Sequence, residues 1–68
     1  MNMLDTSGFS CPEPVIMTKK ALKDRPASLD VIVDNVASRE NVTRYAEAVG
    51  YNVKRSDKDG KWILSLTR

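Results

Sequence analysis

The stretch Leu29-Asp30-Val31-Ile32-Val33-Asp34 decides the fold of this 68-residue chain. Apolar and polar residues largely alternate along it, and most of the apolar ones are β-branched, which is typical of a strand with one buried face. Such a strand needs a second layer of structure to cover its buried side. The stretch therefore predicts the central strand of an α/β sandwich, and the flanking segments should supply the covering helices.

Both flanking segments have the periodicity of a helix. The first helix is predicted from Pro12 to about Lys23, and Arg25-Pro26 should end it because the residue before a proline is pushed out of the α region. Ser38 is predicted to cap a second helix from about Arg39 to Val49, which Gly50 follows in a position typical of left-handed caps. The expected buried positions are Pro14, Met17, Thr18, Ala21 and Leu22, flanked by Val15, in the first helix and Val42, Tyr45, Ala46 and Val49 in the second.

The remaining segments predict three further strands. Met3-Leu4-Asp5 is a short first strand, and the third and fourth strands are 51–55 and 62–66, joined by a hairpin turn at 57–60. The predicted order is β-α-β-α-β-β. We therefore expect residues 1–68 to form a single α/β domain, a two-layer sandwich with a four-stranded mixed sheet and both helices packed on one face.

Composition excludes several classes of function. The chain has one Cys and no His, so it has neither an intrachain disulfide nor a reasonable zinc ligand set, and we expect no metal and no cofactor. No apolar run approaches the ~20 residues that span a bilayer, so no membrane association is expected. The net charge of +2 does not require a nucleic-acid partner, and none is predicted. A lone cysteine without a signal-type N-terminus predicts a cytoplasmic protein.

The cysteine, Cys11, directly precedes the first predicted helix. Free N–H groups and the helix dipole at such a position favour the thiolate. Pro12 suits the first helical position, and Pro14 should fix the first turn. Glu13 complements the dipole and also opposes thiolate formation. A buried structural cysteine is the other interpretation of Cys11, since free cysteines are often buried.

The residues that are absent narrow the chemistry of Cys11. A Cys–His dyad needs a base and a redox pair needs a second cysteine, and the chain has neither. The acidic residues Asp5, Glu13, Asp34 and Asp57 are scattered and are expected to be solvated. A nucleophile or carrier whose partner groups come from another protein remains, and a persulfide on Cys11 fits that role. Such a chain is not a self-contained catalyst.

One face of the first helix is a candidate docking surface. It carries Ile16, Lys19, Lys20 and Lys23, which suggests either a solvated helix surface or a contact for an acidic partner. The second basic cluster, near the hairpin, has a simpler interpretation as a charged sheet edge that resists aggregation. Its members are Lys54, Arg55, Lys58 and Lys61.

The motif around Cys11 resembles that of the TusA/SirA/YedF family of sulfur-carrier proteins. The resemblance rests on the Leu4-Asp5-x-x-Gly8-x-x-Cys11-Pro12-x-Pro14 pattern followed by Lys20-Ala21-Leu22, and it extends over nearly the whole chain. The segments Asp34-Asn35, Glu40-Asn41-Val42 and Tyr45-Ala46-Glu47 look most like the YedF branch.

The resemblance implies a persulfide carrier. Cys11 would accept sulfur from a cysteine desulfurase and pass it to a downstream protein, with Gly8, Pro12, Glu13 and Pro14 as supports of the motif. In the family, the sulfur serves transfer-RNA thiolation, molybdenum-cofactor supply or related sulfur and selenium metabolism. YedF-like members often carry a DsrE-like domain, so a DsrE-like protein or domain is a further expected partner. The alternative is a regulatory interaction module in which Cys11 has no chemical role.

Overall fold

The computed structural model describes residues 3–10 and 13–68. Its elements follow the predicted order, with two helices and four strands. They are β1 (Met3–Asp5), α1 (Glu13–Ala21), β2 (Ser28–Val33), α2 (Val36–Ala48), β3 (Asn52–Lys58) and β4 (Lys61–Thr67). The predicted α/β architecture is therefore confirmed, although Cys11 and Pro12, on which the predicted start of the first helix depends, lie outside the described residues.

The four strands form one mixed sheet in the order β1-β2-β4-β3. Strand β2 is central, as its sequence predicts, since it pairs in parallel with β1 and antiparallel with β4. Strand β3 lies at an edge and pairs antiparallel with β4. Its polar sequence suits that position, because charged side chains discourage pairing with another chain.

The hydrophobic core lies between one face of the sheet and the two helices. Leu29 and Val31 face the core from β2, and their partners Leu66 and Leu64 do so from β4. Side chains alternate between the two faces of a strand, so this register places the apolar residues of both strands on one side. Val42 and Ala46 of α2 complete the core with Leu22, Val33 and Tyr51.

Helix α1 and its following turn bury part of the predicted stripe, while Met17 and Ala21 are half-buried. Pro14, Thr18 and Leu22 are buried, and the Thr18 hydroxyl donates to the Pro14 carbonyl at 2.8 Å. The regular helix ends at Ala21 and not near Lys23. The turn that follows is held by backbone hydrogen bonds, which the N–H groups of Leu22, Lys23 and Arg25 donate to carbonyls three or four residues earlier in the chain. Arg25 then adopts a φ of 52°, which reverses the chain toward β2.

Helix α2 begins three residues earlier than predicted, at Val36, and its N-cap is Asn35. The Asn35 side-chain oxygen accepts the Ser38 N–H at 2.8 Å, which is the bond that a capping residue makes. The prediction of Ser38 as the N-cap is therefore wrong. Ser38 lies in the first turn with its side chain buried, and its hydroxyl has no hydrogen-bond partner among the described residues.

Helix α2 ends as Gly50 predicts. Gly50 has a φ of 98°, its N–H donates to Glu47 O at 3.1 Å, and the Tyr51 N–H donates to Ala46 O at 2.9 Å. This is the Schellman pattern, in which a left-handed residue satisfies the last helical carbonyls. The Arg25 guanidinium adds a bond to Val49 O at 2.9 Å and lies over the Tyr51 ring.

The β3–β4 hairpin is tighter than predicted. Strand β3 extends to Lys58, which pairs with Lys61, so the turn consists of Asp59 and Gly60 alone. Their φ values of 50° and 81° are both positive, as a two-residue type I′ turn requires. The turn is shorter than the four residues predicted at 57–60 because an Asp-Gly pair suffices to reverse the chain.

Candidate functional site

The loop that leads to Cys11 leaves the sheet at the carboxyl ends of two parallel strands. Strand β1 ends at Asp5 and its parallel neighbour β2 ends at Val33, so both strands end at the same edge. Residues 6–10, called here the cysteine loop, begin at this edge and run directly into Cys11 and then α1. In open α/β sheets this edge is where functional residues meet.

Thr6 fixes the first residue of the cysteine loop. It is fully buried, and both its N–H and its hydroxyl donate to the Ile32 carbonyl, at 2.9 and 2.5 Å. These bonds extend the β1–β2 pairing by one residue. The loop therefore starts from a position that is anchored to the central strand.

Asp34 and Asn35, which follow β2, hold the middle of the cysteine loop. Asp34 Oδ2 accepts the Gly8 N–H at 2.7 Å, a short distance typical of a bond to a charged acceptor. Asn35 Nδ2 donates to Asp34 Oδ1 at 3.1 Å and makes a longer contact of 3.5 Å with the Phe9 carbonyl. We call this arrangement the Asp34–Asn35 clamp.

Hydrogen bonds also set the protonation state of the clamp. The Gly8 N–H, followed by the Asn35 amide, lowers the pKa of the Asp34 carboxyl below its usual value. Ser7 likewise lowers the pKa of the Asp5 carboxyl, whose Oδ1 accepts the Ser7 N–H at 2.8 Å. Both carboxylates are therefore ionised at neutral pH, each accepting an N–H of the cysteine loop.

Sequence reasoning missed the role of these residues. It treated Asp34 as one of several solvated acids, and it named Asn35 only within the segment that resembles the YedF branch. Two signals point to them in retrospect. They directly follow a buried strand that is parallel to β1, and Asn35 stands three residues before Ser38, the spacing of an N-cap to the N–H it accepts.

Among the residues of the predicted motif, Gly8 is required by its own backbone conformation. Its φ of 85° lies in the region that favours glycine, and an added Cβ would meet no atom within 4 Å. The requirement for glycine is therefore conformational and not steric. With this φ, the Gly8 N–H donates to Asp34.

The other predicted motif residues lie at the start of α1. The Glu13 N–H donates to the Ser10 carbonyl at 2.9 Å, which links the end of the cysteine loop to the first residue of α1. Glu13 is exposed in the first turn of α1, and Pro14 is buried in the helix–sheet interface. Cys11 and Pro12, the centre of the motif, lie outside the described residues, so their predicted roles stay predictions.

The predicted docking residues line a groove between the two helices. Ile16, Lys19, Lys20 and Lys23 of α1 and its following turn face Tyr45 and Val49 of α2 across a groove of about 570 Å³. Leu22 and Arg25 complete the lining. Ile16 is 40% exposed and the three lysines are exposed. This arrangement, called here the basic groove, has an apolar floor and a cationic rim.

The sequence predicted only half of the basic groove. It assigned Tyr45 and Val49 to the core, yet both are half-buried and present part of their surface to the groove. Arg25 enters the lining because its left-handed backbone turns the chain back and its guanidinium binds the end of α2. These contributions depend on how the two helices pack, which the periodicity of each helix does not specify.

Other surfaces of the described part of the chain supply no competing site. Within residues 3–10 and 13–68, no three His, Cys, Asp or Glu side chains form a group suited to a metal ion. A smaller depression of about 260 Å³ on the uncovered face of the sheet is lined by Met3, Ile32, Ile63 and charged neighbours. No helix among these residues is long and apolar enough to cross a membrane.

Comparison with known proteins points to one family. The model of the family described as sulfurtransferase TusA matches residues 2–68. A candidate sulfur carrier protein of Methanocaldococcus jannaschii is 44% identical over 55 residues, which cover 78% of this chain and 73% of that protein. The sulfur carrier protein TusA of Pseudomonas putida is 27% identical over 68 residues, covering 97% of this chain and 85% of that one.

A solved structure shares the fold. The crystal structure of a SirA-like protein from Desulfitobacterium hafniense superposes with a TM-score of 0.88 at 38% identity, covering 98% of this chain and 96% of that one. The resemblance stated from the Cys11 motif is thus confirmed for TusA- and SirA-like proteins. Assignment to the YedF-like branch stays a prediction.

Proposed function

Because the chain belongs to the sulfurtransferase TusA family, we propose that it is a sulfur-relay carrier that holds sulfur as a persulfide on Cys11. The observation that supports this most directly is the cysteine loop. The loop starts at the carboxyl edge of two parallel strands, is bound by two ionised carboxylates and runs into the start of α1. In this proposal residues 1–68 act as one carrier domain in the cytoplasm.

The proposed transfer is an exchange between two sulfur atoms. The Cys11 thiolate attacks the outer sulfur of a persulfide on the donor's cysteine. A new S–S bond forms on Cys11 while the donor's S–S bond breaks, and its electron pair stays on the donor as a thiolate. The outer sulfur keeps its oxidation state, so the step consumes neither oxidant nor reductant. A second exchange of the same kind transfers the outer sulfur from Cys11 to the next protein and leaves Cys11 as a thiolate.

The chain needs no base of its own for this exchange. It contains no histidine, and the reaction requires only a thiolate and access to the donor. A helix start favours the thiolate through its free N–H groups. Glu13 in the first turn moderates that effect, because a negative neighbour disfavours a second negative charge.

The donor in this proposal is a cysteine desulfurase and the acceptor is a downstream sulfur-acceptor protein. The acceptor serves transfer-RNA thiolation, molybdenum-cofactor supply or related sulfur and selenium metabolism, and a DsrE-like protein or domain is one candidate for this position. Transfer passes between proteins, so we propose no direct contact with nucleic acid.

The basic groove supports docking of an acidic partner. Its exposed lysines attract carboxylates during encounter, and its apolar floor offers a surface that a partner side chain can cover. Ile16 lies within the first two turns of α1, so a partner bound there also approaches the end of the helix that follows Cys11. We propose that the cysteine desulfurase uses this surface.

Mass spectrometry tests the carrier proposal. The protein is incubated with a cysteine desulfurase and cysteine, and its intact mass is measured without reductant. We expect one added sulfur atom on the wild type and none on Cys11→Ser. The proposal fails if the wild type gains no sulfur, or if Cys11→Ser gains the same adduct.

Charge reversal tests the docking proposal. Lys19→Glu with Lys23→Glu should raise the Kd for the desulfurase and remove most of its salt dependence. Lys54→Glu with Lys58→Glu is the matched control, because it makes the same charge change on the edge strand β3. Equal weakening by both pairs would show that net charge alone, and not the basic groove, governs binding.

The basic groove also supports the alternative of a regulatory interaction module. In that case the groove would carry the function and Cys11 would be dispensable. A Cys11→Ser variant that keeps both partner binding and the cellular phenotype, beside a Lys19→Glu/Lys23→Glu variant that loses both, would favour the module over the carrier.

A further inference from the structure

We infer that the Asp34–Asn35 clamp positions the cysteine loop for transfer of sulfur between proteins. This inference rests on the proposed carrier function and goes beyond it, because it assigns a role to two residues outside the cysteine motif. Asp34 and Asn35 are positioning residues in this inference. They act through the backbone of Gly8 and Phe9.

The clamp joins the loop to α2 through a continuous chain of hydrogen bonds. One oxygen of Asp34 accepts the Gly8 N–H and the other accepts the Asn35 amide. The Asn35 side-chain oxygen in turn accepts the Ser38 N–H at the start of α2. Asn35 thus uses its amide nitrogen for the loop and its oxygen for the helix, and both ends of its side chain are fixed.

The loop depends on such external support. Gly8, Phe9 and Ser10 are exposed, and the Phe9 ring is 46% exposed, so apolar packing contributes little to their position. A glycine with positive φ also leaves the backbone freer to move than other residues do. Side chains from Asp5, Asp34 and Asn35 bind the backbone of this segment and limit its range of conformations.

Positioning matters for a protein donor and much less for a small reagent. Two docked proteins present their sulfur atoms in one relative orientation, so a loop that samples several conformations reacts only in the fraction that is aligned. A small alkylating reagent approaches from any accessible direction. Loss of the clamp should therefore slow protein-to-protein transfer while it leaves the alkylation rate of the thiolate nearly unchanged.

Three variants separate the parts of the clamp. Asp34→Ala removes both acceptor oxygens, and Asp34→Asn keeps one neutral acceptor. Asn35→Ser keeps an N-cap for α2 but removes the amide donor to Asp34 and Phe9. Asp30→Asn is the matched control, since Asp30 lies on the same strand before the clamp and makes the same change of charge.

The readouts are the single-turnover rate of sulfur transfer from persulfidated cysteine desulfurase and the iodoacetamide alkylation rate of Cys11 at a pH where the thiol is fully ionised. We expect transfer to slow by about two- to tenfold in Asp34→Ala and Asn35→Ser, the range for one lost hydrogen bond. Asp34→Asn should lie between Asp34→Ala and the wild type. The alkylation rate of Cys11 in the clamp variants should stay within about twofold of the wild-type rate, and Asp30→Asn should match the wild type in both assays.

Hydrogen exchange at the Gly8 amide gives a direct measurement of the clamp. Protection of this amide should fall in Asp34→Ala by more than the loss of global stability, measured as the urea midpoint, accounts for, and it should remain in Asp30→Asn. The inference is overturned if Gly8 exchange is unchanged in Asp34→Ala, or if transfer and alkylation slow equally in the clamp variants.

Failure of the carrier proposal is distinguishable from failure of this inference. If the wild type accepts no sulfur, the carrier proposal falls and the transfer role of the clamp falls with it, whatever the exchange data show. If the wild type accepts sulfur and the clamp variants transfer it at the control rate, the carrier stands and the clamp has no positioning role.

Discussion

The start of α2 offers a sharp test, because the structure and the sequence assign its N-cap to different residues. In the structure Asn35 accepts the Ser38 N–H, whereas the Ser38 hydroxyl is buried without a partner among the described residues. If Asn35 is the cap, then Asn35→Ala should destabilise the protein and Ser38→Ala should not. If Ser38 were the cap, the order would be reversed.

The expected magnitudes follow from the bonds that each variant loses. Asn35→Ala removes the capping acceptor, which costs about 1 kcal/mol. It also removes the hydrogen bond from the Asn35 side-chain amide to Asp34, and the two losses together cost about 1–2 kcal/mol. Ser38→Ala removes a hydroxyl that is fully buried and unpaired. Removing such a group is neutral or stabilises a protein by up to about 1 kcal/mol.

Urea denaturation followed by Trp62 fluorescence measures these differences. Trp62 is the single tryptophan, and the Arg39 guanidinium of α2 lies 4.9 Å from its ring centroid, so its emission reports on the packing of α2 against the sheet. With an m-value of about 1 kcal/mol/M, Asn35→Ala should lower the midpoint by about 1–2 M. The melting temperature should fall by about 4–8 °C for each kcal/mol.

A third variant, Asn35→Ser, separates the cap from the rest of the side chain. Serine also caps helices, so this variant should keep most of the stability that Asn35→Ala loses. The assignment would be refuted by a Ser38→Ala variant that is as unstable as Asn35→Ala. It would also be refuted if Asn35→Ser and Asn35→Ala were equally destabilised, since the cap would then contribute nothing.

Three further predictions concern the glycine of the cysteine loop, the dependence of stability on pH and the hydroxyl of a buried tyrosine. Gly8→Ala should cost about 1–2 kcal/mol in urea denaturation, because its φ of 85° is unfavourable for any residue with a Cβ. Folding lowers the pKa of Asp34, so its contribution to stability is complete above the unfolded pKa of about 4 and is lost as the pH falls through the folded value. Melting temperatures between pH 2 and pH 6 should therefore fall less steeply for Asp34→Asn, and equal slopes would contradict the clamp. Tyr51→Phe should cost about 1 kcal/mol, measured by the same urea titration, because it removes the 2.8 Å bond from the hydroxyl to the Pro26 carbonyl.

Local sequence patterns predicted most of the elements. The alternation at 29–34 predicted the central strand, and helical spacing predicted the face of α2 that packs on the core, where Val42 and Ala46 are buried and Tyr45 and Val49 are half-buried. These predictions succeeded because burial on one side of an element imposes a fixed period on the sequence. Gly50 likewise indicated the end of α2, since a left-handed residue is needed there.

Element ends were predicted less well, because several residues can fill the same local role. Both Asn35 and Ser38 are good N-cap residues, and only the packing of α2 decides which of them comes first. The hairpin turn was predicted at 57–60. In the structure the strand pairing extends to Lys58 and Lys61, because an Asp-Gly turn needs no further residues.

The sequence by itself determined the order of the elements, the family and the cysteine motif that precedes the first helix, because each depends on residues close together in the chain. Only the tertiary structure decided what surrounds that cysteine's loop. The Gly8–Asp34 bond and the groove between Lys19 and Val49 each join residues 26 or more positions apart. Such contacts arise from the parallel pairing of β1 with β2 and from the packing of α1 on α2, and no local pattern records them.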